Sequence, residues 1–248
     1  MNAWSYSLLS VAVVSLISLV GVLTIALGVR RLDRVIPLLI SLAVGGLFGD
    51  ALVHLLPKAF RDSSSPGLTS LYVLLGILTF FMLERFLHWH HEHHQQALNP
   101  IHPVGYINLV TESAHNLVDG LAIGASYFVS VPIGLATTWA VVLHEIPQEL
   151  GDFGILVHAG FSPRRALFLN LLSALLAFVG VVVSLLFGPA ISGYEEIILP
   201  LTAGGFIYMA GADLIPELHH EHELLSSAAQ VAFILAGVGL MYLLLLVE

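Results

Sequence analysis

His144-Glu145-Ile146-Pro147-Gln148-Glu149-Leu150-Gly151-Asp152 decides how this chain reads. The stretch lies inside an apolar run from Pro132 to Phe161. It holds one imidazole, two carboxylates, a carboxamide and a proline within six residues, with a third carboxylate three residues on. On a helix His144 and Gln148 are i,i+4 and share a face, and Glu145 and Glu149 repeat the pairing one step round. Pro147 has no N–H for the carbonyl of Leu143, so a kink is expected there. A charged group at membrane depth costs roughly 2.5–3.5 kcal/mol on insertion scales, so these groups should face a cavity or a ligand. One histidine in such a run reads as satisfied core. Four polar groups around a proline read as a site.

Of the 248 residues, 57% are hydrophobic and 10% charged, against about 25% charged in ordinary soluble domains. Apolar runs of ~20 residues without strand alternation predict an all-α polytopic membrane protein. A single transmembrane domain, residues 1–248, accounts for the whole length. The net charge of −9, with eight scattered Lys and Arg, offers no basic surface for nucleic acid. There is no cysteine, which removes thiolate ligands, disulfides and thiol redox chemistry together. The N-terminus lacks a basic segment and a small-residue cleavage site, so its apolar run is expected to be a retained helix.

Eight transmembrane helices in one bundle are expected, at about 6–29, 35–60, 68–88, 103–129, 132–158, 163–188, 195–218 and 225–247. Ser63-Ser64-Ser65-Pro66-Gly67 is a turn, and Ser162-Pro163 reads as an N-cap and first-turn pair. Arg30, Arg31, Arg34, Arg85, Arg164 and Arg165 fall in loops of one side, against Lys58 and Arg61 on the other. By the excess of positive charge in cytoplasmic loops, both termini are expected outside, in a plasma or bacterial inner membrane. A His-rich loop, about 89–102, with His90, His91, His93 and His94, then lies in the cytoplasm. So do His219, His220 and His222 after helix 7. Glycines in the spans (Gly45, Gly46, Gly49, Gly120, Gly124, Gly204, Gly205, Gly211) read as packing positions.

Helix 4 repeats the oddity of helix 5. Asn108, Glu112, His115 and Asp119 fall on one stripe, with Asn116 on the adjacent face. Two antiparallel neighbours joined by a short turn can bring these residues to His144, Glu145 and Gln148 at mid-membrane, on kinked helices 4 and 5. Imidazole with carboxylate and carboxamide suits a borderline divalent ion such as zinc, iron or manganese, and argues against Cu(I). Asp50 and His54 lie toward the outer end of helix 2, and Asp213 and Glu217 toward the inner end of helix 7. With Glu112 and Glu149 these describe an entrance and exit path. A path fits transport better than catalysis.

The motifs His115-Asn116-Leu117-Val118-Asp119-Gly120 and His144-Glu145-Ile146-Pro147-Gln148-Glu149, with eight spans, resemble the ZIP (Zrt/Irt-like) divalent metal transporter family. They are closest to its subfamily with HNxxDG and HEIPHE. The resemblance covers about residues 6–247. It implies Zn2+ as the transported ion, with Fe2+, Mn2+ or Cd2+ as alternatives, moving toward the cytosol. It implies metal ligands at His115, Asn116, Asp119, His144, Glu145 and Gln148, and a homodimer. Gln148 stands where the subfamily has a second histidine. Helix 6 offers Asn170 and Ser173 where some members place a glutamate.

Two other readings remain. An intramembrane metal-dependent hydrolase needs HExxH with the glutamate as base; here Gln148 takes the second histidine's place. A metal sensor or storage protein would depend on the cytoplasmic histidines, so deleting residues 89–102 would abolish its function.

Overall fold

The computed structural model describes residues 3–22, 29–92, 103–218 and 224–246. Among them there is no strand, and the helical segments join into eight rods. α1 spans Ala3–Gly21. α2 runs from Val29–Gly49 through a π turn at Asp50–Leu55 into Leu56–Asp62. α3 is Pro66–Glu92, α4 Pro103–Val129 and α5 Val131–His158. α6 spans Pro163–Ala190 with a break at Leu175. α7 spans Tyr194–Leu218 with a second π turn at Met209–Leu214, and α8 is Leu224–Leu245. By length and composition α1, α2, α6, α7 and α8 can each cross a membrane. α4 and α5 are equally long but carry the polar residues. The chain is an all-α, multi-pass membrane protein.

Three local readings change. α2 begins at Val29, so Arg30, Arg31 and Arg34 lie in its backbone helix rather than in a loop; arginine is a good helix former and extends the rod. α3 likewise runs past His88 to Glu92. Ser162 precedes α6, but its side chain makes no capping bond; the serine that caps is Ser130, whose side chain accepts from Ile133 N at 3.3 Å. α5 keeps its α ladder on both sides of Pro147. The π turns fall elsewhere. Pro57 cannot donate to Val53, nor Pro216 to Ala212, and just upstream of each the ladder widens into a π turn.

Packing repeats itself across the bundle. α2 lies along α8 as α7 lies along α3, and α6 leans on α4 while α1 leans on α5. Glycine makes the first two crossings close. A Cβ on Gly45 would collide with the Ile234 carbonyl of α8, and one on Gly204 would collide with Val73 of α3. Small residues at such crossings let backbones meet where lipid offers no hydrophobic gradient. α1–α3 and α6–α8 thus apply one scheme around the α4–α5 pair, an internal repeat of a kind frequent in membrane proteins. Gly211 is not part of this packing: only Phe48, at 3.9 Å, comes near it.

Candidate metal centre

Ser130 is the pivot of the polar centre. Its extended backbone (φ −163, ψ 158) turns α4 into α5 in one residue. Residues equally far from it on either side therefore sit at the same depth. His115 and Glu145 are such a pair, as are Asn116 and His144, and Asn108 and Asp152. His144 lies 13 residues into α5, about 20 Å at ~1.5 Å per residue, well inside a hydrocarbon core of ~30 Å.

His115, Asp119, His144 and Glu145 converge, all four buried. His144 Nε2 is 3.1 Å from Asp119 Oδ2 and 3.2 Å from His115 Nε2. His115 Nε2 is 3.6 Å from Asp119 Oδ2, and Glu145 Oε1 is 3.7 Å from both imidazole nitrogens. Four ligands on a tetrahedral zinc at ~2.0–2.2 Å stand roughly 3.3–3.6 Å from one another. Five of the cluster's six spacings, at 3.1–3.7 Å, bracket that range.

The tautomer points the same way. His144 Nδ1 lies 3.0 Å from the Ala140 carbonyl, which can only accept, so Nδ1 carries the proton. In the neutral ring Nε2 then turns a lone pair toward a carboxylate oxygen and a second imidazole. Lone pairs facing one another call for a cation between them. Fixing a histidine through its other nitrogen is the usual second contact of a metal ligand. Asp119 Oδ1 and Glu145 Oε1 have no hydrogen-bond partner, and among the described residues no Lys or Arg pairs with either. Phe80 of α3 packs edge-on against His115, ring centroids 6.4 Å apart, and Phe206 of α7 against His144 at 6.2 Å. These two rings, absent from the sequence reading, wall the imidazoles with hydrocarbon.

The other candidates are placed as follows. Asn116 is fully buried and turns to Glu112, donating from Nδ2 to Oε1 at 2.7 Å, with its own Oδ1 unpartnered. Gln148, one turn further along α5 than His144, also has an unpartnered Oε1. Glu112 and Glu149, expected on an entrance and exit path, lie beside Glu145, one oxygen from each within 4.8 Å of the others. Asp50 and His54 are buried in the π turn of α2, 3.4 Å apart. Thr137 of α5, which the sequence reading passed over, donates to Asp50 Oδ2 at 2.9 Å. Asp50 Oδ1 and both His54 ring nitrogens have no hydrogen-bond partner. Glu217 is exposed at the end of α7. Asp213 lies in the π turn of α7 and His90 and His91 in the last turn of α3, their side chains outside the described structure. His93, His94, His219, His220 and His222 fall outside the described residues.

A family profile described as ZIP Zinc transporter matches residues 1–105 and 88–245. This chain belongs to that family. Among relatives of ZIP type, zinc transporter ZIP13 of Pongo abelii is 37% identical, covering 98% of this chain and 79% of its own length. ZIP13 of Homo sapiens is 33% identical, with 98% and 81% covered. Zinc transporter zipt-7.1 of Caenorhabditis briggsae is 34% identical, with 85% and 71% covered. The ZIP family match spans both three-helix groups and the α4–α5 pair, so the whole polar centre lies within it.

Proposed function

We propose that this protein carries zinc across a cell membrane toward the cytosol, with His115, Asn116, Asp119, His144, Glu145 and Gln148 as the ligands of the passing ion. The observation that supports it is the four-atom cluster at 3.1–3.7 Å, buried mid-bundle in a chain similar to proteins named zinc transporters. Zinc is cargo here, so the site must also release it; a carboxamide at residue 148 in place of an imidazole weakens the grip. Fe2+, Mn2+ and Cd2+ are secondary cargo.

In this reading the ion meets Asp50 and His54 first, sheds its water at the central cluster, and leaves past Glu112 and Glu149 toward Asp213, Glu217 and the cytoplasmic histidines. All eight rods cross the bilayer with both termini outside, which the excess of arginines at the rod ends facing the α1–α2, α3–α4 and α5–α6 connections supports. The protein works as a homodimer in the plasma or bacterial inner membrane. It hydrolyses nothing: the second histidine of an HExxH motif is Gln148.

The test is uptake of zinc, iron and manganese into metal-free liposomes holding the purified chain. Zinc uptake abolished by His144→Ala is the expected result. No uptake of any of the three ions, or uptake indifferent to that substitution, ends this reading. Deleting residues 89–102 should leave most of the flux, whereas a sensor would lose its function.

A further inference from the structure

The start of α6 presents two exposed arginines, Arg164 and Arg165, that the ion route does not use. Among the described residues no Asp or Glu forms an ion pair with either, and the first turn of α6 holds no acidic residue. Ser162 lends no side-chain cap, so the positive end of the helix is open at the same place. Guanidiniums pair most strongly with carboxylate or phosphate, and here the chain supplies neither.

One of the two is held in place. The Schellman end of α5, with Gly160 at φ 101 and Phe161 N bonded to Leu156 O at 3.1 Å, turns the Phe161 ring inward, where it is buried. The guanidinium carbon of Arg165 stands 5.2 Å from the centroid of that ring. Tyr106 of α4 meets the same ring edge-on, centroids 5.3 Å apart, and a Cβ on Gly105 would come within 2.7 Å of it. Stacked on a ring that α4 and α5 fix, the guanidinium is oriented while its N–H fork stays free at the edge. The other arginine heads an apolar stripe. Phe168, Leu172, Leu175 and Val179 follow Arg164 at helical steps of four, four, three and four, all exposed, Phe168 most at 63%. From Phe168 to Val179 the stripe runs about 16 Å at ~1.5 Å per residue, half the depth of a ~30 Å hydrocarbon core.

We infer that Arg164 and Arg165 bind the phosphate of an anionic phospholipid whose acyl chains lie along the exposed stripe of α6. The occupant is a lipid rather than a soluble phosphate because the charge and the apolar stripe are continuous on one helix face. A stripe one leaflet deep follows directly on the charge. In the orientation proposed above, this end of α6 meets the cytoplasmic leaflet, where anionic lipid is concentrated. α6 also crosses α4 closely: a Cβ on Gly180 would collide with the Leu117 carbonyl. The bound lipid therefore braces the helices that carry the metal centre, whichever ion that centre takes.

The test is native mass spectrometry of the purified full chain in detergent, with phosphatidylglycerol or phosphatidylcholine added at equal concentration. Phosphatidylglycerol should be the better retained. Arg164→Gln with Arg165→Gln should lower its retention about twentyfold, roughly fivefold for each arginine, and leave phosphatidylcholine unchanged. Arg165→Lys, which keeps the charge and loses the stacked fork, should lower it several-fold. Arg61→Gln, at the opposite end of the bundle on α2, should change nothing. Free glycerol phosphate, the same phosphate without acyl chains, should not displace the lipid. Equal retention of the two lipids, retention indifferent to the glutamine pair, an equal loss with Arg61→Gln, or displacement by glycerol phosphate overturns the inference. If the glutamine pair fails to fold, Arg165→Lys decides: phosphatidylglycerol retention unmoved by that variant overturns it as well. None of these outcomes depends on zinc uptake, so the transport reading stands or falls separately.

Discussion

The Asp50–His54 pair on α2 and the central cluster on α4 and α5 are built from the same kinds of residue in different numbers. Asp50 and His54 are both buried, yet they offer one carboxylate and one imidazole, and neither ring nitrogen of His54 has a hydrogen-bond partner. In the centre two imidazoles and two carboxylates meet, and one ring is already oriented by a backbone carbonyl. Two donors set in a π turn can receive an ion but leave most of its coordination to water. Four donors at tetrahedral spacing can replace its water altogether. In the proposed route the contrast is between catching an ion and stripping it.

Substitutions can break that contrast. The largest effect is expected from His144→Ala, which removes the ligand that touches both Asp119 and His115. Zinc uptake should fall by more than about a hundredfold, to the level of empty liposomes, since even outer-shell losses at metal sites cost roughly 10–100-fold. Asp50→Asn should raise the KM for zinc about tenfold and leave the saturating rate largely intact. If it instead abolishes the saturating rate, the outer pair is itself a stripping site. Gln148→His restores an imidazole beside the centre. It should shift competition between zinc and manganese toward zinc several-fold, with slower release. The smallest effect belongs to Thr137→Val. It takes one hydrogen bond of about 1 kcal/mol from Asp50, so KM should rise about fivefold or less and the fold should persist.

Much of this was legible in the residues, for reasons that can be named. α4 and α5 were bounded in advance because Pro103, Ser130 and Pro132 punctuate a long apolar stretch, and a one-residue turn forces equal depth on either side. That is why His115, Asp119, His144 and Glu145 could be expected together. The same rule places Asn108 opposite Asp152, but Asp152 reads as the tail of a motif until the register is known. Glu112 and Glu149 are expected on an entrance and exit path; antiparallel packing sets them beside Glu145, at the edge of the central cluster. Thr137 went unnoticed because a threonine in an apolar helix commonly bonds its own backbone. The π turns stayed hidden because proline at 57 or 216 signals only a missing donor; whether the ladder kinks, breaks or widens depends on the helix packed alongside.

The π turn of α2 has a consequence for insertions and deletions. A π turn holds about one residue more than the α ladder would over the same rise, and each residue turns a helix by about 100°. Removing Leu52, 55% exposed and outside the core, would let the ladder close regularly. The last third of the rod would keep its facing, because the π turn absorbs just that residue, but the wide turn that holds Asp50 and His54 would be lost. His54 would become i,i+3 to Asp50, while Lys58 and Asp62 would keep their side. Replacing Leu52 with another apolar residue changes none of this. Along this segment the length of the chain is therefore under tighter constraint than the identity of its lipid-facing side chains.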